Sequence, residues 1–101
     1  MFGNLGQMAS LLGRVKDIQA GIGELKKELP EMEFSAESGG VTAVVGGDFQ
    51  LKRLEVAPGV DAGAVAGNAR EAVNRALASA KLAIAQRMKE ISGGIDLPGL
   101  F

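Results

Sequence analysis

The stretch MASLLGRVKDIQAGIGELKKEL, residues 8–29, sets Met8, Leu11, Val15, Ile18, Ile22, Leu25 and Leu29 at alternating steps of three and four. Such steps keep a narrow apolar seam on one side of a helix, the pattern that packs knobs into holes against another helix rather than onto a broad sheet. Pro30 ends the run, and Asn4 with Gln7 three residues later has the form of a capping box, so the spacing predicts a helix over about 4–29. Gly13, Gly21 and Gly23 fall outside the seam and each costs up to about 1 kcal/mol relative to Ala, so this helix depends on packing for its stability. The first question the chain raises is one of assembly, not of catalysis.

Beyond Pro30 the period changes. Met32, Phe34 and Ala36 alternate with polar neighbours, Val41 to Val45 is a β-branched run, and Phe49 to Val56 is a third extended segment, which places the strands within 31–56. Ser38-Gly39-Gly40 and Gly46-Gly47-Asp48 are expected to supply the positive backbone angles of hairpin turns, giving an antiparallel three-stranded meander. Phe49 and Leu51 keep one phase and Leu54 and Val56 another, so a bulge or twist is expected near Lys52-Arg53. Pro58-Gly59 breaks the sheet, Asp61 is a cap candidate, and an Ala-rich helix runs over about 61–91 until Ser92-Gly93-Gly94. Its apolar positions recur every eleven residues, as Ala66, Leu77 and Met88, as Ala69, Ala80 and Ile91, and as Val73 and Ile84. An apolar tail, 92–101, carries Pro98-Gly99. The class is α+β, an α-β-β-β-α order in one domain spanning 1–101.

Lengths sharpen the assembly question. At 1.5 Å per residue the two helices span roughly 39 and 46 Å, whereas a strand of about six residues covers only about 20 Å. Both helices must overhang the sheet, leaving apolar stripes that one small protomer does not cover. A two-fold dimer is the simplest closed solution. Its interface is expected at Met8, Leu11, Val15, Ile18, Ile22 and Leu25 on the first helix and Val73, Leu77 and Ile84 on the second.

With 101 residues, 47% hydrophobic and no Cys, His, Trp or Tyr, the chain reads as a small globular protein packed by aliphatics and Ala. The missing Cys and His remove the thiol nucleophile, the commonest general base and the usual transition-metal ligands, so no metal, cofactor or catalytic residue is assigned. The absence of Cys fits a reducing, cytoplasmic compartment. Polar residues interrupt every apolar run, so neither signal peptide nor membrane span is expected; with no catalytic residue assigned, no small-molecule substrate is expected. Glu31, Glu33 and Glu37 have strand spacing that could pair carboxylates, but a solvated strand face explains them as well. Met8, Met32 and Met88 could line a pliable surface, with core filling as the plainer reading.

The formal net charge is -1, without the basic excess that usually announces phosphate binding. The charge is nevertheless divided, with positive side chains concentrated on the helices and negative ones between them. Arg70 and Lys81, eleven apart, stand one above the other beside the apolar stripe, Arg75 and Lys89 point outward, and Arg87 borders the other edge. Lys26 and Lys27 also complement the dipole at the end of the first helix. Solvated helix faces and phosphate contact both remain open from the residues alone.

Several segments together resemble one family. They are the opening Met1-Phe2-Gly3-Asn4-Leu5, the run from Glu33-Phe34-Ser35-Ala36-Glu37-Ser38-Gly39-Gly40 through Val41-Thr42-Ala43-Val44-Val45-Gly46-Gly47, then Lys52-Arg53-Leu54-Glu55-Val56-Ala57-Pro58. The closing Gly93-Gly94-Ile95-Asp96-Leu97-Pro98-Gly99-Leu100-Phe101 completes them. In this order the chain resembles the YbaB/EbfC nucleoid-associated proteins over nearly its whole length. The resemblance implies a tweezer-like homodimer that binds double-stranded DNA in the bacterial cytoplasm or nucleoid and is not an enzyme. The family has no sharp binding motif, so what carries over is basic charge on the helices, here at Arg14, Lys16, Lys26, Lys27, Arg70, Arg75, Lys81, Arg87 and Lys89, followed by Lys52 and Arg53. The alternative is a structural protein–protein interaction module, in which the helix seams and Phe101 recruit a partner and DNA binding is incidental.

Overall fold

The structure, a computed structural model, describes residues 2–93, with side chains described for Ser10 and for 12–93. Helix α1 covers Phe2–Glu28, a single 3-10 turn covers Leu29–Glu31, strands β1, β2 and β3 cover Phe34–Ser38, Val41–Val45 and Leu51–Val56, and helix α2 covers Ala62–Ser92. The expected α-β-β-β-α order is the observed one. Helix α1 starts two residues before the expected Asn4; the side chains of Asn4, Gln7, Met8 and Leu11, and the tail from Gly94 onward, lie outside the described residues. No described helix is long and apolar enough to cross a membrane.

The sheet is antiparallel with order β1-β2-β3. Gly39 and Gly40, at φ of 52° and 85°, close the first hairpin between the paired residues Ser38 and Val41, as a two-residue turn with both angles positive requires. The second turn departs from expectation. Gly46 and Gly47 carry no positive φ; that conformation falls on Phe49, at 62°. The glycines answer a need for space instead. A Cβ on Gly47 would come within 2.8 Å of the Leu29 carbonyl oxygen, to which the Gly47 N–H donates at 2.9 Å, so this turn docks on the 3-10 turn after α1.

β3 holds the expected bulge. Val44 pairs with Arg53 and Val45 with Leu51, leaving Lys52 as the extra residue. The slip puts Leu51, Leu54 and Val56 on one face, opposite Val45, Ala43 and Val41 respectively. That is the face on which α2 lies, since Val45 clusters with Ala76 and Ala80, with Phe34, Ala36 and Leu77 packed around them.

Along α2 the buried line runs in steps of four, Ala72, Ala76, Ala80, Ile84, Met88 and Ser92, rather than in the expected repeat of eleven. Steps of four drift by about 40° each, so the buried side of α2 turns as the helix advances, and this lets one helix serve two partners. Its first half covers the sheet, and its second half meets α1 through a cluster of Leu25, Ile84 and Met88, with Ile22, Leu29, Met32 and Ile91 around it. Asp61 occupies the cap position of α2 without a side-chain capping bond, and Gly93, left-handed at φ 65°, ends the helix with its N–H on the carbonyls of Lys89 and Glu90.

The two helices run antiparallel, with Gly21 of α1 against Ile91 and Leu25 against Met88 and Ile84. Gly21, expected outside the packed side, sits at the crossing: a Cβ there would lie 2.7 Å from Ile91 Cγ2, while Gly13 and Gly23 have nothing within 4 Å. Gly13→Ala and Gly23→Ala are therefore expected to stabilise the protein by about 0.5–1 kcal/mol each. Gly21→Ala, which must displace a β-branched side chain, is expected to be neutral or to cost about 1 kcal/mol. Urea midpoints at one fixed protein concentration measure all three, and a common sign would disprove the close approach. Because the helices meet only near the end of α1, the molecule is drawn out to 72 × 19 × 16 Å, with a radius of gyration of 19.6 Å against about 13 Å for a compact chain of this length.

Candidate nucleic-acid interface

Two surfaces of this fold bear on function, one apolar and one basic. The apolar one is the β3 column. Leu51, Leu54 and Val56 point to the α2 side of the sheet, yet remain 49%, 44% and 46% exposed, because α2 lies over β1 and β2. Phe49, exposed and held in a left-handed conformation that L side chains rarely adopt, lies in the turn that leads into β3. The uncovered side of α2 can be identified from its contacts. Arg75 reaches the Glu37 carbonyl at 3.3 Å, and Asn68 receives the Ser38 hydroxyl at 3.0 Å, so that flank overhangs β1. At 100° per residue, Val73 and Leu77 lie on the opposite flank, toward β3, and Arg70 and Lys81 lie beyond them, further round toward solvent. The result is an apolar notch floored by β3, walled by Val73 and Leu77, and bordered by two cations.

The two edges of the sheet are treated differently. The free edge of β1 has its Glu37 carbonyl occupied by the Arg75 guanidinium, whereas every residue of β3 is exposed. An exposed edge strand is a template for another strand or another chain; here the bulge and the charged Lys52, Arg53 and Glu55 disfavour backbone pairing and leave the apolar face of β3 as the open surface. On the opposite face of the sheet Arg53 reaches across from β3 to Glu33 at 2.8 Å. The hydrogen bond from Arg53, and then its charge, hold the Glu33 carboxyl below its ordinary range, and Arg53 is raised in return.

The basic side chains separate into two groups. Lys27 pairs with Glu24 at 3.8 Å, Arg75 with Glu71 at 3.0 Å, and Arg87 with Glu28 at 2.9 Å. Lys52 donates its ammonium to the Pro30 carbonyl, and Arg53 is held by Glu33. Arg14, Lys16, Lys26, Arg70, Lys81 and Lys89 are exposed and have no ion-pair partner among the described residues. Of these, Arg70 and Lys81 share one flank of α2, and Arg14 and Lys16 stand on the part of α1 that runs past its crossing with α2. These six side chains face solvent.

Residues expected at an interface between copies fall in different places. Leu25 and Ile84 are covered within the protomer, at 2% and 1% exposure, and Ile22 packs beside them. Ile18, Val73 and Leu77 are half-buried and Val15 is exposed, while the side chains of Met8 and Leu11 lie outside the described residues. Outside that expected set, Leu12 and Leu82 are exposed on the helices, and Phe49, Leu51, Leu54 and Val56 are exposed in and beside β3. The signal for the β3 residues was the change of phase within β3, which implied a bulge and hence a common face.

The model of the YbaB/EbfC DNA-binding family matches residues 4–95. A nucleoid-associated protein of Clostridium kluyveri is 34% identical, over 99% of this chain and 93% of its own length. A nucleoid-associated protein of Nostoc punctiforme is 33% identical, over 96% of this chain and 89% of its own length. One of Thermoanaerobacter pseudethanolicus is also 33% identical, over 91% and 88% respectively.

Proposed function

This chain belongs to the YbaB/EbfC DNA-binding family, and from that premise we propose that it is a nucleoid-associated protein that binds double-stranded DNA as a homodimer, mainly through phosphate contacts and with little sequence readout. The reading rests on the six exposed cations without partners among the described residues. They are spread along two long helices rather than gathered at one helix end that could enter a groove, a distribution suited to tracking a charged backbone and poorly suited to reading base edges. Phosphate contact needs no excess of positive charge over the whole molecule, only local positive charge on the side that meets the duplex.

The homodimer is supported by the β3 column and the notch beside it. A second copy would bury Leu51, Leu54 and Val56, and the two-fold axis would bring Arg70 and Lys81 of both copies to the rim of one shared surface. Pairing then both covers apolar area and doubles the number of phosphate contacts. The role needs no catalytic step, no cofactor and no membrane, and its place is the nucleoid, in the cytoplasm. Solution mass measured at several concentrations, with and without a short duplex, tests both parts together. The expected result is twice the 10.4 kDa chain mass at micromolar concentration, rising further with the duplex. A stable, folded single subunit that ignores the duplex would overturn the proposal, and protein capture without nucleic acid would then favour an interaction module.

A further inference from the structure

We propose that the Glu28–Arg87 ion pair is the pin that fixes the angle of α1 against α2, making Arg87 a positioning residue for a DNA-binding arm rather than one of its phosphate contacts. The inference rests on the DNA-binding reading only in naming what the arm is for. Its geometry stands by itself. Helix α1 is joined to α2 near its end, where Leu25 meets Ile84 and Met88 and where Gly21 admits Ile91. Side-chain packing at such a crossing favours one inclination but leaves a scatter of about 15–20° around it, within which a directional contact can select. Among the described residues the Arg87 Nη2 to Glu28 Oε2 contact, at 2.9 Å, is the one ion pair that joins the two helices.

Gly21 and Glu28 lie seven residues apart on α1, about 10 Å along its axis. The bond from the Gly47 N–H to the Leu29 carbonyl ties the end of α1 to the sheet; against α2 the helix is held at two points, at Gly21 by Ile91 and at Glu28 by Arg87, and two points define a direction. From Gly21 back to Phe2 the arm extends a further 28 Å or so, so a tilt of about 10° would move its far end by roughly 5 Å. That exceeds the axial spacing of successive phosphates on a DNA strand, about 3.4 Å, so the angle decides which phosphates Arg14 and Lys16 reach.

Arg87 is suited to pinning rather than to reaching outward. It lies three residues after Ile84 and four before Ile91, on the side of α2 that meets α1. Its planar fork matches a carboxylate. A half-exposed pair contributes little to overall stability, so its loss should appear in the angle of the arm before it appears in folding.

The chain has no cysteine, so Ser10→Cys on the arm and Ser79→Cys on α2, both exposed positions, can carry a nitroxide pair. Electron–electron double resonance would read their separation in protein diluted with excess unlabelled copies. Glu28→Arg or Arg87→Glu alone, each placing like charges together, is expected to shift or broaden the separation by about 3 Å, the movement of residue 10 for a 10° tilt. The charge-swapped double variant is expected to restore the parent distribution. Glu28→Gln, nearly isosteric, serves where a like-charge variant loses helicity by circular dichroism. Unchanged distributions in the single variants, or a swap that fails to recover the parent one, would overturn the proposal. The measurement needs no DNA: a protein that ignores a duplex can still show the pin, and one that binds a duplex can lack it.

Discussion

Arg70→Ala combined with Lys81→Ala is expected to weaken binding to a short duplex by at least an order of magnitude near 0.1 M salt and to flatten its salt dependence. In a homodimer the pair of substitutions removes four candidate phosphate contacts. Each contact contributes about 0.9 to the slope of log affinity against log salt concentration, so the slope should fall by roughly 3.6, and these four contacts account for about two orders of magnitude between 50 and 200 mM salt. Arg75→Ala is the matched control. It lies on the same helix and removes one cation per chain where the double variant removes two, but its guanidinium is already engaged by Glu71 and the Glu37 carbonyl. Its effect should fall more on the β1 edge than on the duplex. Fluorescence polarisation across a salt series measures both variants. Equal slopes for parent and double variant would remove Arg70 and Lys81 from the interface.

What could be read in the residues, and what could not, divides along a physical line. Local pattern was legible: the paired glycines at 39 and 40, the three strands, the bulge, and the seam that contains Leu25. Choice of partner was not. The alternation of three and four on α1 called for another helix, but it did not say that α2 of the same chain would cover Leu25, nor that the crossing would admit Gly21, four residues earlier on the same ridge. Ala72 and Ala76 were overlooked because Ala carries little apolar signal, although small side chains are what allow α2 to lie close on the sheet. At the second turn the glycines were assigned to backbone angle when they serve close approach to Leu29, with Phe49 taking the unusual angle.

The same line runs through the basic residues. Pairs within one helix, Glu24 with Lys27 and Glu71 with Arg75, follow from spacings of three and four. The partners of Arg87 and Arg53 come from other elements, 59 and 20 residues away. Only the fold reveals that these charges are spoken for, and so distinguishes them from Arg70 and Lys81, which in the sequence look alike.

Leu54→Asp is expected to split the proposed homodimer while leaving the protomer folded. In the single chain Leu54 is already 44% exposed on an edge strand, and a surface substitution of this kind typically changes stability by about 0.5 kcal/mol or less. Between two copies the same carboxylate would be buried against Leu51 and Val56 without a counter-charge, and an unpaired buried charge costs several kcal/mol. A dissociation constant at least about 100-fold higher follows, since about 2.7 kcal/mol suffices for that ratio. Light scattering should then report a mass near the 10.4 kDa chain mass at concentrations where the parent pairs, with unchanged far-ultraviolet dichroism. Leu82→Asp is the comparison, because Leu82 is 74% exposed on α2, on the flank away from the notch, and its substitution should leave pairing intact. The duplex supplies a second readout: a lone protomer offers half the cations, so the salt slope of Leu54→Asp should fall to about half of the parent value. A Leu54→Asp protein that stays paired would show that the β3 column is not where copies meet, and the doubling of phosphate contacts would need another surface.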